Sequence, residues 1–303
     1  IYMIKRFKVG FFGDKEWAHI ALKRMIKDKT LELKFICGRF FPKDNKLQEI
    51  AKKNKINFYN PENIHKKKFL KILKKSGAEM FVSMSYDQIF KKEIIEMVNK
   101  KIINCHAGKL PFYRGRNILN WAIINGEKEF GITTHFVNEK IDQGDIIIQK
   151  TFKIKKKDDL NSVLKVATKQ CGILIYKTLK QVQNNNYKVI KQRKISKNFS
   201  YFPKRKKGDE IIDFNKNSFE INNFVRGLVK PGPYARIRLK NNEIFVKKVN
   251  ITKKINYKKF YPGRIVKMNK KKFYINTKDN KAIIVEKWFS KKKINLKLGL
   301  ELR

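Results

Sequence analysis

Residues 79–107, EMFVSMSYDQIFKKEIIEMVNKKIINCHA, decide the fold. Two short apolar runs, EMFVSM (79–84) and IINCHA (102–107), flank KKEIIEMVNKK, an amphipathic stretch of helical spacing. The same alternation runs back through FKVGFFG (7–13), KEWAHIALKRMIKD, LKFICG (33–38), NKLQEIAKKN, INFY and PENIHKKKFLKILKKSG. Strand and helix in strict alternation call for a mainly parallel sheet covered on both faces, an α/β, Rossmann-like domain. DLNSVLKVATKQCGILIYKTLKQVQNN (159–185) has apolar positions at helical spacing and closes that domain, which is expected over residues 1–185. Gly10 and Gly13 form only a GxxG, too little for a dinucleotide fingerprint, and read as a tight turn.

The pattern then changes. Residues 186–207 are polar and basic with a break at Phe202-Pro203, the chemistry of a linker. Beyond residue 208, SFEINNFVRGLVK and Pro231-Gly232-Pro233 lead into YARIRLK, EIFVKKVNI, GRIVKMN, KFYINTK and AIIVEKWF. Short strands separated by Gly, Asn and Asp turns predict a small C-terminal β-barrel of oligonucleotide-binding (OB-like) type over 208–303. Such a barrel does not by itself imply nucleic acid.

Composition narrows the class. The 303 residues suffice for two domains, and no apolar run approaches the roughly 18 residues of a membrane span. The N-terminus IYMIKRFKVGFFGDKEW carries charge where a signal peptide would be apolar, so a cytoplasmic protein is expected. The net charge of +47 resembles a nucleic-acid footprint, but it comes from 61 Lys against 12 Arg, scattered over helices, loops and termini. Phosphate readers lean on the bidentate Arg fork, so the scatter fits base composition better than a designed patch. Cys37, Cys105 and Cys171 are far apart, without a CxxC or a His at metal-ligand spacing. Buried thiols and no metal are expected.

The chemistry lies between Ile103 and Asp145. Asn104 and His106 stand two apart at the end of an apolar strand, so both face the same way. Asp142 follows on a Gly-containing loop after a second strand, ITTHFV (132–137). An amide donor, an imidazole and a carboxylate are the parts of an acyl-transfer site: oxyanion stabiliser, proton acceptor, and a group that orients and charges the acceptor. In isolation Asn104 is a strand-end turn residue, His106 a packed imidazole and Asp142 a solvated acid. Their joint order favours function. Cys105 alternates to the opposite face. His135 alternates on the strand 132–137 and could face the site, with a packed or surface imidazole the favoured reading, and His19 and His65, without polar company, carry no signal.

Asn104-Cys105-His106, Leu110-Pro111-Phe112-Tyr113-Arg114-Gly115 and Asp142-Gln143-Gly144-Asp145 together resemble the signature of the formyltransferase family that uses 10-formyltetrahydrofolate. The resemblance covers most of the chain and implies the two-domain architecture. It also implies a catalytic trio of Asn104, His106 and Asp142, with 10-formyltetrahydrofolate as co-substrate. The folate would lie along the strand ends, its pterin near the backbone of Ser85, Tyr86, Asp87, Gln88 and Ile89 and of Asn138, Glu139, Lys140 and Ile141. Leu110, Pro111, Tyr113, Arg114 and Gly115 would form the cofactor-side loop, although Arg114 could instead pair with a nearby acid. Gly108 and Lys109 stand where relatives often have Ser-Leu, which leaves the trio untouched.

Relatives acting on methionyl-tRNA commonly carry a basic insertion after the second strand. Here Gly38 to Lys46 passes directly into the next helix. Arg116 and Trp121 resemble the acceptor side of the enzymes that formylate nucleotide-linked amino sugars, as a diphosphate contact and an aromatic wall, with core packing the alternative for Trp121. The expected acceptor is therefore a nucleotide-linked amino sugar. Initiator methionyl-tRNA is the runner-up, and a glycinamide ribonucleotide is disfavoured because that branch usually lacks the second domain. A basic RNA-binding protein is the non-enzymatic alternative, and a homodimer is left open.

Overall fold

The computed structural model describes residues 5–239, 242–252, 261–269 and 271–302. Residues 1–4, part of the N-terminal reading above, and Lys240, the end of the strand expected over 234–240, lie outside them. The first stretch runs β1 (Phe7–Gly13), α1 (Lys15–Lys27), β2 (Leu31–Cys37), α2 (Asn45–Lys53), β3 (Asn57–Tyr59), α3 (Lys67–Lys75), β4 (Met80–Met84), α4 (Lys92–Glu96) and β5 (Ile102–His106). It continues with β6 (Arg114–Gly115), α5 (Ile118–Ile124), β7 (Glu129–Phe136), β8 (Ile146–Lys153), α6 (Leu160–Gln183), α7 (Gln192–Ile195) and β9 (Tyr201–Phe202). Last come α8 (Ser218–Gly227), β10 (Ala235–Leu239), β11 (Asn242–Ile251), β12 (Ile265–Met268), β13 (Phe273–Asn276) and β14 (Ala282–Ser290).

Seven strands form one sheet in the order β3-β2-β1-β4-β5-β7-β8. β1 pairs in parallel with β2 and β4, β2 with β3, and β4 with β5, whereas β5 and β7 are antiparallel. The parallel strands are mainly apolar, and most fully so in β4 (MFVSM), as expected of strands covered on both faces. α3, KKFLKILKK, buries Phe69, Leu70 and Leu73 on one stripe and turns its lysines outward. Phe12, wholly buried at the centre of one core, meets Phe35, Phe81, Tyr86 and Phe90 edge-on, with ring centroids 5.0–5.4 Å apart. That geometry matches positive ring edges to negative faces.

The C-terminal strands form an antiparallel sheet in the order β10-β11-β14-β13-β12. Its core takes residues from all five strands and from Ile221 and Val225 of α8. α8 starts at a capping box, Asn217 accepting from the Glu220 N–H while Glu220 reaches back to the Asn217 N–H. This is the small β-domain expected from the turn-rich sequence. Among the described residues no helix is long and apolar enough to cross a membrane.

The division of the chain differs from a single cut at residue 185. One compact unit comprises Ile1–Gly115, Gly131–Phe152 and Lys165–Phe202, the other Arg116–Phe130, Lys153–Leu164 and Pro203–Arg303. The stretch expected as a linker over 186–207 is folded into the first unit as far as Phe202. Ile190 and Ile146 exchange backbone hydrogen bonds of 2.8 and 2.9 Å, Gln192 is buried, and β9 pairs in parallel with β6. Backbone pairing and one buried amide hold it, and neither shows in a polar, basic composition.

Replacing Phe12 with Ala removes the ring that four aromatic neighbours share. The expected cost is about 3–5 kcal/mol in urea unfolding, and a loss below about 1 kcal/mol would contradict this packing.

Candidate active site

The register of the antiparallel pair assembles the polar groups. Asn104 lies opposite His135 and His106 opposite Thr133, so the two alternating pairs share one face of the sheet. The Asn104 Nδ2 donates to His135 Nε2 at 3.2 Å, and His135 Nδ1 donates to the Phe136 carbonyl at 2.7 Å. This network assigns the Nδ1–H tautomer to His135. It holds one amide hydrogen of Asn104 and directs the other to no protein acceptor among the described residues. His106 Nε2 donates to the Tyr113 carbonyl at 2.7 Å, which leaves Nδ1 facing Asp142 Oδ2 at 3.6 Å.

Asp142 ties the pieces together. Its Oδ1 lies 3.7 Å from His135 Nε2, and its Oδ2 accepts from the Gly115 N–H at 2.9 Å. Burial pushes the carboxyl up, but His106, His135 and the Gly115 amide outweigh it and hold the group well below the usual carboxylate range. The carboxylate therefore stays ionised and desolvated. Asp142 adopts a left-handed backbone (φ 53°), as do Tyr113 (φ 56°) and Ser85 (φ 59°) in the neighbouring loops. Non-glycine residues held there signal conformations imposed by their surroundings.

The loops owe their shape to buried polar side chains. Thr133 Oγ1 donates to the Gly108 carbonyl at 2.7 Å, and Gln149 Nε2 donates to the Leu110 carbonyl and to Thr133 Oγ1 at 2.8 and 2.9 Å. Leu110 is buried and its bond to Pro111 is cis. Tyr113 stacks on Phe202 at 5.0 Å and 17°, and its N–H donates to Ser200 Oγ at 2.8 Å. Gly108 explains the departure from Ser: a Cβ there would collide with both His106 Nε2 and the Tyr113 oxygen. Gly144 is required likewise, since its Cβ would run into the Phe136 carbonyl.

The other expected contacts fall into distinct settings. Ser85 presents its carbonyl to Arg39 Nη2 at 2.9 Å, and Arg39 also meets Asp14 at 3.1 Å and Asp87 at 3.8 Å. Tyr86 is turned inward onto Phe12 and Phe90, its hydroxyl 3.5 Å from Cys37 Sγ, and Gln88 accepts from the Ile64 N–H at 2.9 Å. Burial pushes the Cys37 thiol up to about 12. Ile89 and Ile141 are exposed. Asn138 accepts from the Lys140 N–H and Glu139 from the Lys92 N–H. Arg116, exposed, and Trp121, half-buried on α5, belong to the second unit.

Four readings change. His135 is neither surface nor mere packing: it is 3% exposed and joins Asn104 to Asp142. Its signal was the antiparallel register, which alternation within one strand does not give. Arg114, expected on the cofactor-side loop or paired with an acid, is buried, bonded to the Gln192 amide and lying 4.6 Å over the Phe199 ring. His19 pairs with Asp44 at 2.8 Å, and His65 Nε2 with the Ile89 carbonyl at 2.9 Å, through partners distant in sequence. Cys37, Cys105 and Cys171 are buried and in no disulfide, and among the described residues no cluster of His, Cys, Asp or Glu could hold a metal.

A parallel sheet carrying an amide, an imidazole and a buried carboxylate at its strand ends, followed by a small antiparallel β-unit, defines a group-transfer enzyme. The chain belongs to the formyl transferase family: residues 32–179 match the formyl transferase model and residues 204–298 that of the formyl transferase C-terminal domain. The methionyl-tRNA formyltransferase of Malacoplasma penetrans is 30% identical over 290 residues, 93% of this chain and 89% of that one. The bifunctional polymyxin resistance protein ArnA of Wigglesworthia glossinidia brevipalpis is 35% identical over 220 residues. That match takes in 72% of this chain but spans only 32% of the relative. The crystal structure of an N-formyltransferase from Helicobacter canadensis, in complex with folinic acid and dTDP-3-aminofucose, aligns with a TM-score of 0.67 and 25% identity. The alignment covers 92% of this chain and 99% of that one.

Gly108→Ala should fold, because the colliding atoms are the end of an imidazole and a loop carbonyl, yet displace His106 and lower turnover by at least about tenfold. Gly144→Ala should instead lower the melting temperature by several degrees, its obstacle being strand backbone. Wild-type turnover in the first variant, measured by formyl transfer, would refute the close approach at His106.

Proposed function

We propose that the chain moves the formyl group of 10-formyltetrahydrofolate to the primary amine of a nucleotide-linked amino sugar, with Asn104, His106 and Asp142 as the catalytic groups. In this reaction the amine nitrogen bonds to the formyl carbon, the bond from that carbon to folate N10 breaks, and the proton shed by the amine ends on N10. The uncommitted amide hydrogen of Asn104 meets the oxyanion of the tetrahedral intermediate. His106, whose Nε2 is engaged by the Tyr113 carbonyl, takes the amine's proton at Nδ1, and the Asp142 carboxylate beside it stabilises the imidazolium. His135 orients the Asn104 amide. The folate fits this setting: the side chains of Tyr86 and Gln88 are engaged within the protein, leaving backbone edges beside the exposed Ile89 and Ile141 for a flat heterocycle.

The buried carboxylate facing two imidazoles carries the catalytic reading. The acceptor reading rests on residues 38–44, the short connection from β2 to α2. Asp44 accepts from the Lys15 and Leu47 N–H groups at 2.7 and 3.0 Å, fixing the start of α2 directly after a short connection that carries no basic insertion. The Helicobacter canadensis structure, holding a nucleotide-linked amino sugar and covered almost end to end, supports the same choice. Methionyl-tRNA is the second reading, favoured by the Malacoplasma penetrans relative.

The acceptors separate on kcat/KM at physiological salt. A nucleotide-linked amino sugar should be formylated faster than methionyl-tRNA, with modest salt dependence, because a diphosphate offers few charges. Faster and steeply salt-sensitive formylation of tRNA would establish the second reading.

Asp142→Asn should lower turnover at least about 100-fold and leave folate binding nearly unchanged. Since the carboxyl is held below its ordinary value, its contribution to stability is complete above about pH 4 and is lost as pH falls through the folded value. The melting-temperature advantage of wild type over Asp142→Asn should therefore persist at neutral pH and shrink only in strong acid. An advantage that declines between pH 7 and 5 would contradict the assignment.

A further inference from the structure

Gln192 lies on α7, within the basic stretch that reads as a linker, and is 4% exposed. Its Oε1 accepts from Arg114 Nε and Nη2 at 3.1 and 2.6 Å, and its Nε2 donates to the carbonyls of Asp142 and Gly144, both at 2.8 Å. One buried amide thus joins the two loops that meet around the carboxylate. The segment bearing it is anchored on both sides. Ile190 bridges Ile146 before it, and after it Ser200 receives the Tyr113 N–H on Oγ and the Arg114 N–H on its carbonyl, at 2.8 and 3.0 Å.

We infer that Gln192 is a positioning residue for formyl transfer, a buried strap that fixes the Asp142 carboxylate relative to His106 and His135. The inference rests on the reading of Asp142 as a catalytic group. Asp142 occupies a left-handed conformation that strains a residue with a Cβ, so contacts on its peptide decide whether it stays there. Gln192 holds that peptide by its carbonyl, and holds Gly144 by the same means. The Arg114 fork needs the acceptor side of the amide, because burial disfavours its charge. Without the amide both carbonyls lose buried donors, the loop relaxes, and the carboxylate withdraws from the imidazoles and from the Gly115 N–H.

Two variants separate positioning from packing. Gln192→Ala removes every bond, whereas Gln192→Glu keeps size and an acceptor for Arg114 but removes both donors. Turnover is measured with 10-formyltetrahydrofolate and whichever of a dTDP-linked amino sugar or methionyl-tRNA the wild type uses faster, normalised to the fraction that binds 5-formyltetrahydrofolate. Both variants should lose at least about tenfold in kcat while the folate dissociation constant stays within about twofold. Adding either change to Asp142→Asn should cause no further loss, since the strap acts through that carboxylate. Near-normal kcat in the folded fraction, or losses that multiply with those of Asp142→Asn, would overturn the inference. A single variant Asp142→Asn with normal turnover would instead remove the catalytic reading of Asp142. An acceptor-independent measure is amide exchange at Gly115, which should quicken at least about tenfold in both Gln192 variants, and unchanged exchange there would overturn the inference for any acceptor.

Discussion

A carboxylate kept charged out of water is the constraint on which the active site depends. Burial works against the charge on Asp142, which is offset by the Gly115 N–H donating to it and by the charge that His106 takes up at the ring nitrogen facing it. Those partners come from β5 and β6. Loss of register in either of them would leave a buried charge uncompensated, so the same interaction that prepares the chemistry also penalises misassembly.

The sheet supplies this arrangement through one reversal. Parallel strands from β3 to β5 carry their loops to a common edge, where ligands of such sheets bind. β7 then runs antiparallel to β5, so a strand interior, not a loop, delivers His135 and Thr133 to the face occupied by Asn104 and His106. Strand-borne groups are held more rigidly than loop-borne ones, which suits the role proposed for the Asn104 amide, meeting an oxyanion without reorganising. The loops add glycine at the two places where backbone or imidazole comes too close for a side chain, Gly108 and Gly144.

What the sequence disclosed and what it hid have physical reasons. Strand and helix periodicity is local, so the alternation over residues 7–107 and the turn-separated strands beyond 234 were legible. The trio was legible because its members fall in one ordered motif. His135 was legible only as an alternative, because its place depends on pairing between two strands, and a period of two says which residues share a face but not which face meets which neighbour. Gln192 was hidden by its setting among lysines: an amide shows no periodicity, and its three partners, Arg114, Asp142 and Gly144, lie 78, 50 and 48 positions away. The partner of Arg114 was out of reach for the same reason, since its acceptor lay in the stretch taken for a linker. The scattered lysines gave a large charge, while Asp142 receives its hydrogen bonds from Gly115 and Gln192.

The account stands or falls on the arrangement of protons around the buried carboxylate. Nitrogen-15 NMR of imidazole-labelled protein reads it directly, because protonated and unprotonated ring nitrogens resonate far apart. His135 should carry its proton on Nδ1 with Nε2 bare, and His106 should carry one on Nε2, with both ring signals displaced by Asp142→Asn. The reverse tautomer at His135, or spectra at both rings unchanged by the Asp142 substitution, would contradict a site organised by that carboxylate.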